Sequence, residues 1–129
     1  MTDRPTDAEL AILRVLWELG PSTVRGVHSA LEQRQARDLA YTTVLKLLQV
    51  MHEKGLVVRD ESERSHVYTP TWSEHTIQNR LLGDLVDKAF GGSAGQLVLK
   101  ALSERPTDPT ELAEIRALLD RLEGSAGEG

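Results

Sequence analysis

The sequence predicts a mainly α-helical fold in two parts, with three short helices and a β-hairpin in residues 1–72 and three more helices in residues 73–123. Six segments carry apolar residues at helical spacing, and capping or helix-breaking residues flank them. One short stretch instead has β-branched residues on both sides of a charged turn, which is typical of a hairpin. The last residues, 124–129, are mostly small, so we expect a flexible tail there.

The first helix has a clear start and a clear end. Thr6 is followed three residues later by Glu9, which matches a capping box with Thr6 as the N-cap. The pair Gly20-Pro21 then supplies a C-cap and a helix breaker, and Ser22 or Thr23 caps a second helix. The apolar residues of these two helices are Leu10, Ile12, Leu13, Leu16, Trp17, Val24, Val27 and Leu31.

The third helix leads directly into the hairpin. It begins near Tyr41 and ends before Gly55, which is a strong C-cap signal. The strand Leu56–Val58, a turn over Asp60–Ser65 and the return strand His66–Thr69 then follow without a linker. The residues predicted to form the buried face of the third helix are Val44, Leu45, Leu47, Leu48 and Met51.

Three further helices make up the second part. Ser73 caps a fourth helix that runs to about Phe90, and Gly91–Ser93 forms a hinge before a short fifth helix over Gln96–Ser103. A sixth helix starts at Asp108, which acts as N-cap ahead of a proline at the first helical position. Apolar residues in the sixth helix fall at spacings of three, four and three, as in a coiled-coil seam: Leu112, Ile115, Leu119 and Leu122.

Composition limits the kinds of function. The chain has 129 residues and no Cys, which removes disulfides, thiolate metal sites and cysteine nucleophiles and fits a reducing compartment. No apolar run approaches the roughly 20 residues that span a bilayer, so we expect a soluble, cytoplasmic protein without membrane insertion. The four histidines lack the spacing of a helical metal site, and no catalytic constellation is present. We therefore expect no metal, no cofactor and no enzymatic activity.

The net charge of −5 is unevenly divided along the chain. Residues 1–72 carry nine Lys/Arg and ten Asp/Glu, whereas residues 73–129 carry six and ten. An acidic protein is a poor general binder of polyanions. A nucleic-acid-binding protein with this sequence therefore needs a local basic surface on its first part.

The order of elements in the first part is that of a winged helix-turn-helix, in which the third helix enters the major groove of DNA. The outward side of that helix is polar, and threonine, lysine and glutamine can contact phosphates or base edges. The hairpin adds basic residues where a wing reaches the DNA backbone, although its tip also carries Asp60, Glu61 and Glu63. The predicted contacts to double-stranded DNA are Arg37, Tyr41, Thr42, Thr43, Lys46, Gln49, Arg59, Arg64 and His66.

The fourth to sixth helices carry more apolar surface than three short helices can cover. Patches of this kind usually mark an interface, and a homodimer would match a twofold, palindromic operator. A satellite core within one chain is the alternative. The predicted dimerisation residues are Ile77, Leu81, Leu82, Leu85, Val86, Leu97, Val98, Leu112, Ile115, Leu119 and Leu122.

Short blocks spread over almost the whole chain resemble the BlaI/MecI family of penicillinase repressors, which are winged helix-turn-helix regulators. The block Ala40–Val44 is moderately specific by itself, and the ordered set is much more so. The matching blocks are Thr6–Leu10, Val15–Trp17, Thr23–Arg25 with Val27-His28, Leu39–Val44, Lys54–Val57, Tyr68, Phe90–Ser93 and Leu97–Leu99.

The resemblance implies a homodimeric repressor of resistance genes that a membrane sensor-protease releases by triggering cleavage in the dimerisation region. In the best-known members the cut falls between Asn and Phe in the fifth helix, and the corresponding pair here is Lys100-Ala101. Many relatives carry Thr in place of Lys46 and Arg in place of Val50. Because both positions lie on or beside the reading face, the operator sequence is expected to differ.

A winged-helix adaptor that binds another protein instead of DNA is the alternative function. An adaptor would more often place apolar residues on the outer face of the third helix, where Val50 is the only candidate.

Overall fold

The computed structural model describes residues 4–34 and 38–128, so the predicted DNA contact Arg37 lies outside the described residues. Over these ranges the chain forms six helices and three short strands. It divides into two compact units, residues 1–82 and residues 83–129. The division lies inside the fourth helix, whereas the sequence pattern predicts a boundary at residue 72.

Helix α1 (Asp7–Leu19) has the predicted capping box. The Thr6 hydroxyl accepts a hydrogen bond from the Glu9 amide at 3.2 Å, and the Glu9 carboxylate accepts one from the Thr6 amide at 2.9 Å. Gly20 ends the helix with φ of 85°, a value that L side chains rarely adopt. Both ends of α1 are therefore set by local chemistry that the sequence displays.

Helix α2 (Val24–Arg34) is capped by Thr23, whose hydroxyl accepts a hydrogen bond from the Gly26 amide at 3.1 Å. Ser22 and Thr23 also form strand β1 (Ser22–Thr23), which the sequence pattern does not predict. Two residues are too few to show the alternation on which strand prediction depends.

Helix α3 (Tyr41–Lys54) ends in a Schellman motif. Gly55 adopts φ of 82° and ψ of 13°, its amide donates to the His52 carbonyl at 3.1 Å, and the Leu56 amide donates to the Met51 carbonyl at 2.9 Å. Because Leu56 is part of this helix end, strand β2 (Val57–Asp60) begins one residue later than predicted.

The three strands form one antiparallel sheet with the order β1–β3–β2. The return strand β3 (Val67–Pro70) starts one residue later than predicted and includes Pro70. Pro70 lies opposite Val57 at the end of β3, beyond the residues paired with β1, where its missing amide hydrogen is tolerated. Arg59 lies directly opposite Tyr68 in this register.

The core of the first unit lies between α1, α2, α3 and the sheet. On α3, the predicted inward residues Val44, Leu48 and Met51 are fully buried, while Leu45 and Leu47 pack against the edge of the core. Tyr68 brings the wing into the same core. The core therefore fixes both the orientation of α3 and the base of the hairpin.

A buried ion pair joins the start of α1 to the end of α3. The Lys54 ammonium lies 3.0 Å from both carboxylate oxygens of Glu9, and the Glu9 side chain is only 2% exposed. The same carboxylate accepts the capping-box hydrogen bond from Thr6. Since Lys54 immediately precedes the Gly55 cap, this ion pair lies at the point where α3 passes into the hairpin.

The helices that follow are α4 (Glu74–Ala89), α5 (Ala94–Glu104) and α6 (Pro109–Glu128). Ser73 caps α4 as predicted, and Ser93 caps α5 by accepting from the Gln96 amide at 3.1 Å, which starts α5 two residues earlier than predicted. Helix α6 continues through Gly124, where the sequence predicts a flexible tail. A helical glycine costs about 1 kcal/mol, which does not stop a helix that is already several turns long.

None of the described helices combines the length and the apolar character needed to cross a bilayer.

Replacing Lys54 with Met tests the buried ion pair. The variant keeps the apolar stem of the side chain but leaves the Glu9 carboxylate buried without its cation. Removing one partner of a buried pair costs about 3–5 kcal/mol, and we expect about 2 kcal/mol here because Lys54 itself is 27% exposed. Urea unfolding followed by circular dichroism measures this loss.

Lys46→Met is the matched control, since Lys46 is an exposed lysine on the same helix. Its free energy of unfolding should stay within about 0.5 kcal/mol of the wild-type value. Equal losses in the two variants would show that the Glu9–Lys54 pair does not stabilise the unit.

Candidate nucleic-acid interface

Helix α3 presents a continuous polar face to solvent. Because Val44, Leu48 and Met51 point into the core, the helical repeat directs the opposite side of α3 outward. The predicted groove-facing residues are all exposed: Thr42, Thr43, Lys46 and Gln49. Val50 is half-buried, so it contributes only part of its surface to this face.

The N-terminus of α3 has no side-chain cap among the described residues, and its N-cap residue is Ala40. The first amides of a helix need hydrogen-bond acceptors, and together with the helix dipole they favour an anion such as a phosphate. The start of α3 is thus chemically suited to the DNA backbone.

Arg59, a predicted DNA contact of the wing, already has partners within the protein. Its side chain is 22% exposed and pairs with Glu61 at 3.4 Å. A hydrogen bond with the Tyr68 side chain is the main cause that raises the pKa of Arg59 above its usual value, and Glu61 acts in the same direction. Arg59 therefore braces the hairpin across β2 and β3 as well as adding charge to it.

The other two basic residues of the wing differ in their surroundings. His66 is 40% exposed and lies 3.9 Å from the Glu61 carboxylate. Arg64 is exposed and forms no ion pair with any carboxylate of the described residues. Arg64 can therefore approach a phosphate without first breaking an ion pair within the described chain.

The turn of the wing is locally ordered. The Asp60 carboxylate accepts a hydrogen bond from the Ser62 amide at 2.9 Å. This bond and one from the Ser62 side chain lower the pKa of Asp60 below its usual value. A lowered pKa means that the turn favours the carboxylate, so this contribution is present at neutral pH and is lost as the pH falls through the lowered pKa.

A cleft of about 420 Å³ lies between the start of α2, α3 and the wing. It brings together the predicted residues Tyr41, Gln49, Arg59, Arg64 and His66, whereas Thr42, Thr43 and Lys46 are not among its lining residues. Three arginines and no carboxylate appear among the described residues that line it, which are Thr23, Val24, Arg25, Tyr41, Leu45, Gln49, Arg59, Arg64, Ser65, His66 and Tyr68.

Arg25 is a feature of this surface that the sequence pattern did not single out as a site residue. Its guanidinium lies 5.9 Å from the centroid of the Tyr41 ring, within cation–π range. The Tyr41 ring in turn meets the His28 ring at 5.8 Å and 78°, an edge-to-face contact. A single arginine in the first turn of α2 carries no periodic signal, and only the tertiary fold places it beside α3.

Outside the first unit, large apolar side chains are exposed on all three helices. Between Gln78 and Ser125 no residue is buried in the single chain. Ile77, which was predicted at the dimer interface, is instead 1% exposed and belongs to the first compact unit. The large apolar side chains that are more than a third exposed from α4 onward are Leu82, Leu85, Val98, Leu99, Leu102, Leu118, Leu119 and Leu122.

The predicted cleavage pair, Lys100-Ala101, lies within α5. Lys100 and Ala101 are both exposed, and Lys100 forms a one-turn ion pair with Glu104 at 3.4 Å. A protease would reach these side chains from solvent, but it would have to unwind a helical turn to bind the backbone in an extended form.

The packed helices, the three-stranded sheet, the polar face of α3 and the hairpin that follows it define a winged helix-turn-helix DNA-binding protein. The family model described as penicillinase repressor matches residues 5–121. The chain therefore belongs to the penicillinase repressor family, whose members are transcriptional repressors and not enzymes.

Individual relatives agree with this assignment. Transcriptional regulator BlaI of Mycobacterium tuberculosis (strain H37Rv) is 36% identical over 122 residues, covering 94% of this chain and 86% of the relative. The penicillinase repressor of Staphylococcus aureus is 22% identical, covering 88% of each chain. Methicillin resistance regulatory protein MecI of Mammaliicoccus sciuri is 19% identical, covering 90% of this chain and 93% of the relative.

A solved structure of disulfide-formed AbfR aligns with 95% of this chain and 70% of that chain at 21% identity. Its TM-score of 0.44 is too low to add to the assignment.

Proposed function

We propose that this protein acts as a homodimeric repressor on palindromic operators of resistance or stress genes, with α3 in the major groove and the hairpin on the backbone. The observation that carries the proposal is the cleft beside α3, where three arginines and no carboxylate are found among the described lining residues. This is the local basic surface that an acidic DNA-binding protein needs. The acidic residues of the wing lie outside that lining.

In the proposed complex the exposed face of α3 reads the operator. Lys46 and Gln49 have the donors and acceptors that distinguish guanine and adenine, and the two threonines offer hydroxyl and methyl groups. Arg59, Arg64 and His66 hold the backbone, with Arg64 the most available of the three. Lys46 and the half-buried Val50 are the positions that would give this protein its own operator preference.

The second unit supports the proposed dimer. No residue between Gln78 and Ser125 is buried, so the apolar surface of this helical segment is covered only in part within its own chain. Burial of apolar surface is what offsets the conformational entropy lost on folding. Pairing the exposed leucines of two copies would supply that burial, and the resulting twofold symmetry would match a palindromic operator.

Release by proteolysis is the route that family membership favours, with a membrane sensor-protease as the partner that triggers the cut. A break between Lys100 and Ala101 would separate α6 from the rest of the chain. Three of the exposed leucines, Leu118, Leu119 and Leu122, lie on α6. The proposed dimer would then lose much of its apolar interface. Each N-terminal fragment would bind a single half-site of the operator as a monomer.

Binding to the DNA upstream of its own gene tests the proposed function. We expect wild-type protein to bind such a fragment and to lose affinity steeply with salt, since each phosphate contact contributes about −0.9 to the slope of log K against log salt. Lys46→Ala should relax discrimination among operator variants by about 1–3 kcal/mol. Arg64→Ala should weaken binding to all duplexes alike. Fluorescence anisotropy over a KCl series measures both effects.

Lys88→Ala is the matched control, because Lys88 is an exposed lysine on α4 outside the proposed interface with DNA. It should bind like wild type. If Lys46→Ala and Arg64→Ala also bind like wild type, the assigned residues are wrong. If wild-type protein binds no promoter fragment even at low salt, the adaptor function is favoured instead.

A charge on the exposed apolar surface tests the proposed dimer. Leu119 is 48% exposed in the single chain, and Leu119→Glu would place a carboxylate in the interface at a cost of several kcal/mol. We expect sedimentation velocity at micromolar concentration to show a dimer for wild type and a monomer for this variant. Leu19→Glu is the control and should remain a dimer, since Leu19 is 53% exposed on α1 in the first unit. If Leu119→Glu is also a dimer, the proposed interface through Leu119 is excluded.

Cleavage in α5 can be tested in cells. We expect induction with a β-lactam to produce fragments of residues 1–100 and 101–129, and intact-mass spectrometry of the purified protein would detect them. Uninduced cells should yield the uncut chain. Transcription of the regulated genes with the chain still intact would rule out proteolysis as the means of release.

A further inference from the structure

Arg25 is held at a defined place beside α3. It lies in the first turn of α2, it is exposed, and its Cζ lies over the Tyr41 ring, 5.9 Å from the ring centroid. It forms no ion pair with a carboxylate of the described residues. A planar guanidinium on an aromatic face keeps its outer N–H groups available, in a fork that matches phosphate oxygens.

Tyr41, in turn, contacts a second ring. His28 meets the ring edge-to-face at 5.8 Å, and its Nε2 lies 3.0 Å from the Leu39 carbonyl oxygen, just before α3. The Nδ1 of the same ring lies 3.5 Å from the Glu32 carboxylate. These contacts tie α2 to the start of α3 and fix the surface on which Arg25 rests.

Arg59 adds a further cation to the same cleft. Its Nε is shielded from solvent and has no hydrogen-bond partner among the described residues, so this nitrogen is not itself accessible to a ligand. Arg59 and Arg25 both line the cleft, together with Arg64.

We propose that Arg25 contacts a DNA backbone phosphate seated in this cleft, and that Tyr41 is a positioning residue for Arg25 and not itself a DNA contact. The cleft lies between the groove-facing helix and the wing, so a strand that touches both would pass over it. Phosphate is favoured over a base because the cleft offers several cationic donors, and Gln49 is the only one of the four proposed readout residues of α3 among its described lining residues. This proposal rests on the proposed function and extends it to a residue on α2.

Binding of the full chain to an operator duplex and to a scrambled duplex over a KCl series tests the proposal. We expect Arg25→Ala to bind both duplexes roughly tenfold or more weakly near 100 mM salt. The salt slope should fall by about 0.9 for each phosphate that is no longer neutralised, hence by nearly 2 for a dimer. Arg25→Lys keeps the charge and should retain most of the slope. Arg14→Ala removes the same charge from a separate cleft between α1 and α2 and should match wild type.

Two substitutions separate positioning by Tyr41 from direct contact. Tyr41→Phe keeps the ring under Arg25 and should bind both duplexes like wild type. Tyr41→Leu removes the ring and should shift affinity and slope in the direction of Arg25→Ala. Loss of binding in Tyr41→Phe would show that the hydroxyl itself contacts DNA and would overturn the positioning role.

The remaining outcomes are also decisive. If wild-type protein binds its operator and Arg25→Ala binds both duplexes with unchanged affinity and slope, the Arg25 proposal fails while the proposed function stands. If Arg25→Ala weakens binding to the operator alone, Arg25 reads bases and not phosphate. Inorganic phosphate titrated into DNA-free protein should show no saturable binding by NMR; saturable binding that disappears in Arg25→Ala would identify a free anion as the ligand instead.

Discussion

The Glu9 carboxylate is the group on which the geometry of the first unit depends. It accepts a hydrogen bond from the Thr6 amide at the start of α1, and it forms an ion pair with Lys54, the last residue of α3. Gly55 and the hairpin follow immediately, so one buried anion ties the beginning of the fold to the base of the wing. Separating a buried charge from its partner is costly. The Glu9–Lys54 pair in the core, and not the surface residues, therefore fixes the angle between α3 and the hairpin.

On that support, a small basic surface is assembled in an acidic chain. Glu61 engages Arg59 and approaches His66, so part of the wing's positive charge is already compensated. Arg25 and Arg64 have no such partner in the described chain, and both line one cleft. The positive charge that this surface can offer to DNA therefore depends on which arginines already pair with carboxylates of the chain. The net charge of the protein does not reveal it.

Local signals explain what could be predicted from the sequence. The capping box at Thr6, the cap at Gly55 and the spacing of Val44, Leu48 and Met51 act within a few residues, and the structure has each of them. Strand β1 is too short to leave a pattern. The contact between Arg25 and Tyr41 joins two helices, and the contact between Arg59 and Tyr68 joins two strands, so the periodicity within one element could reveal neither.

The lack of any buried residue between Gln78 and Ser125 has a consequence for gene dosage. If two copies complete one another's core, folding of this segment follows mass action and depends on how much protein the cell contains. Operator occupancy would then vary with the square of chain concentration at low abundance, so a modest fall in synthesis would produce a disproportionate loss of repression. The exposed leucines of α4, α5 and α6 would thus form the interface and also determine the chain concentration below which repression is lost.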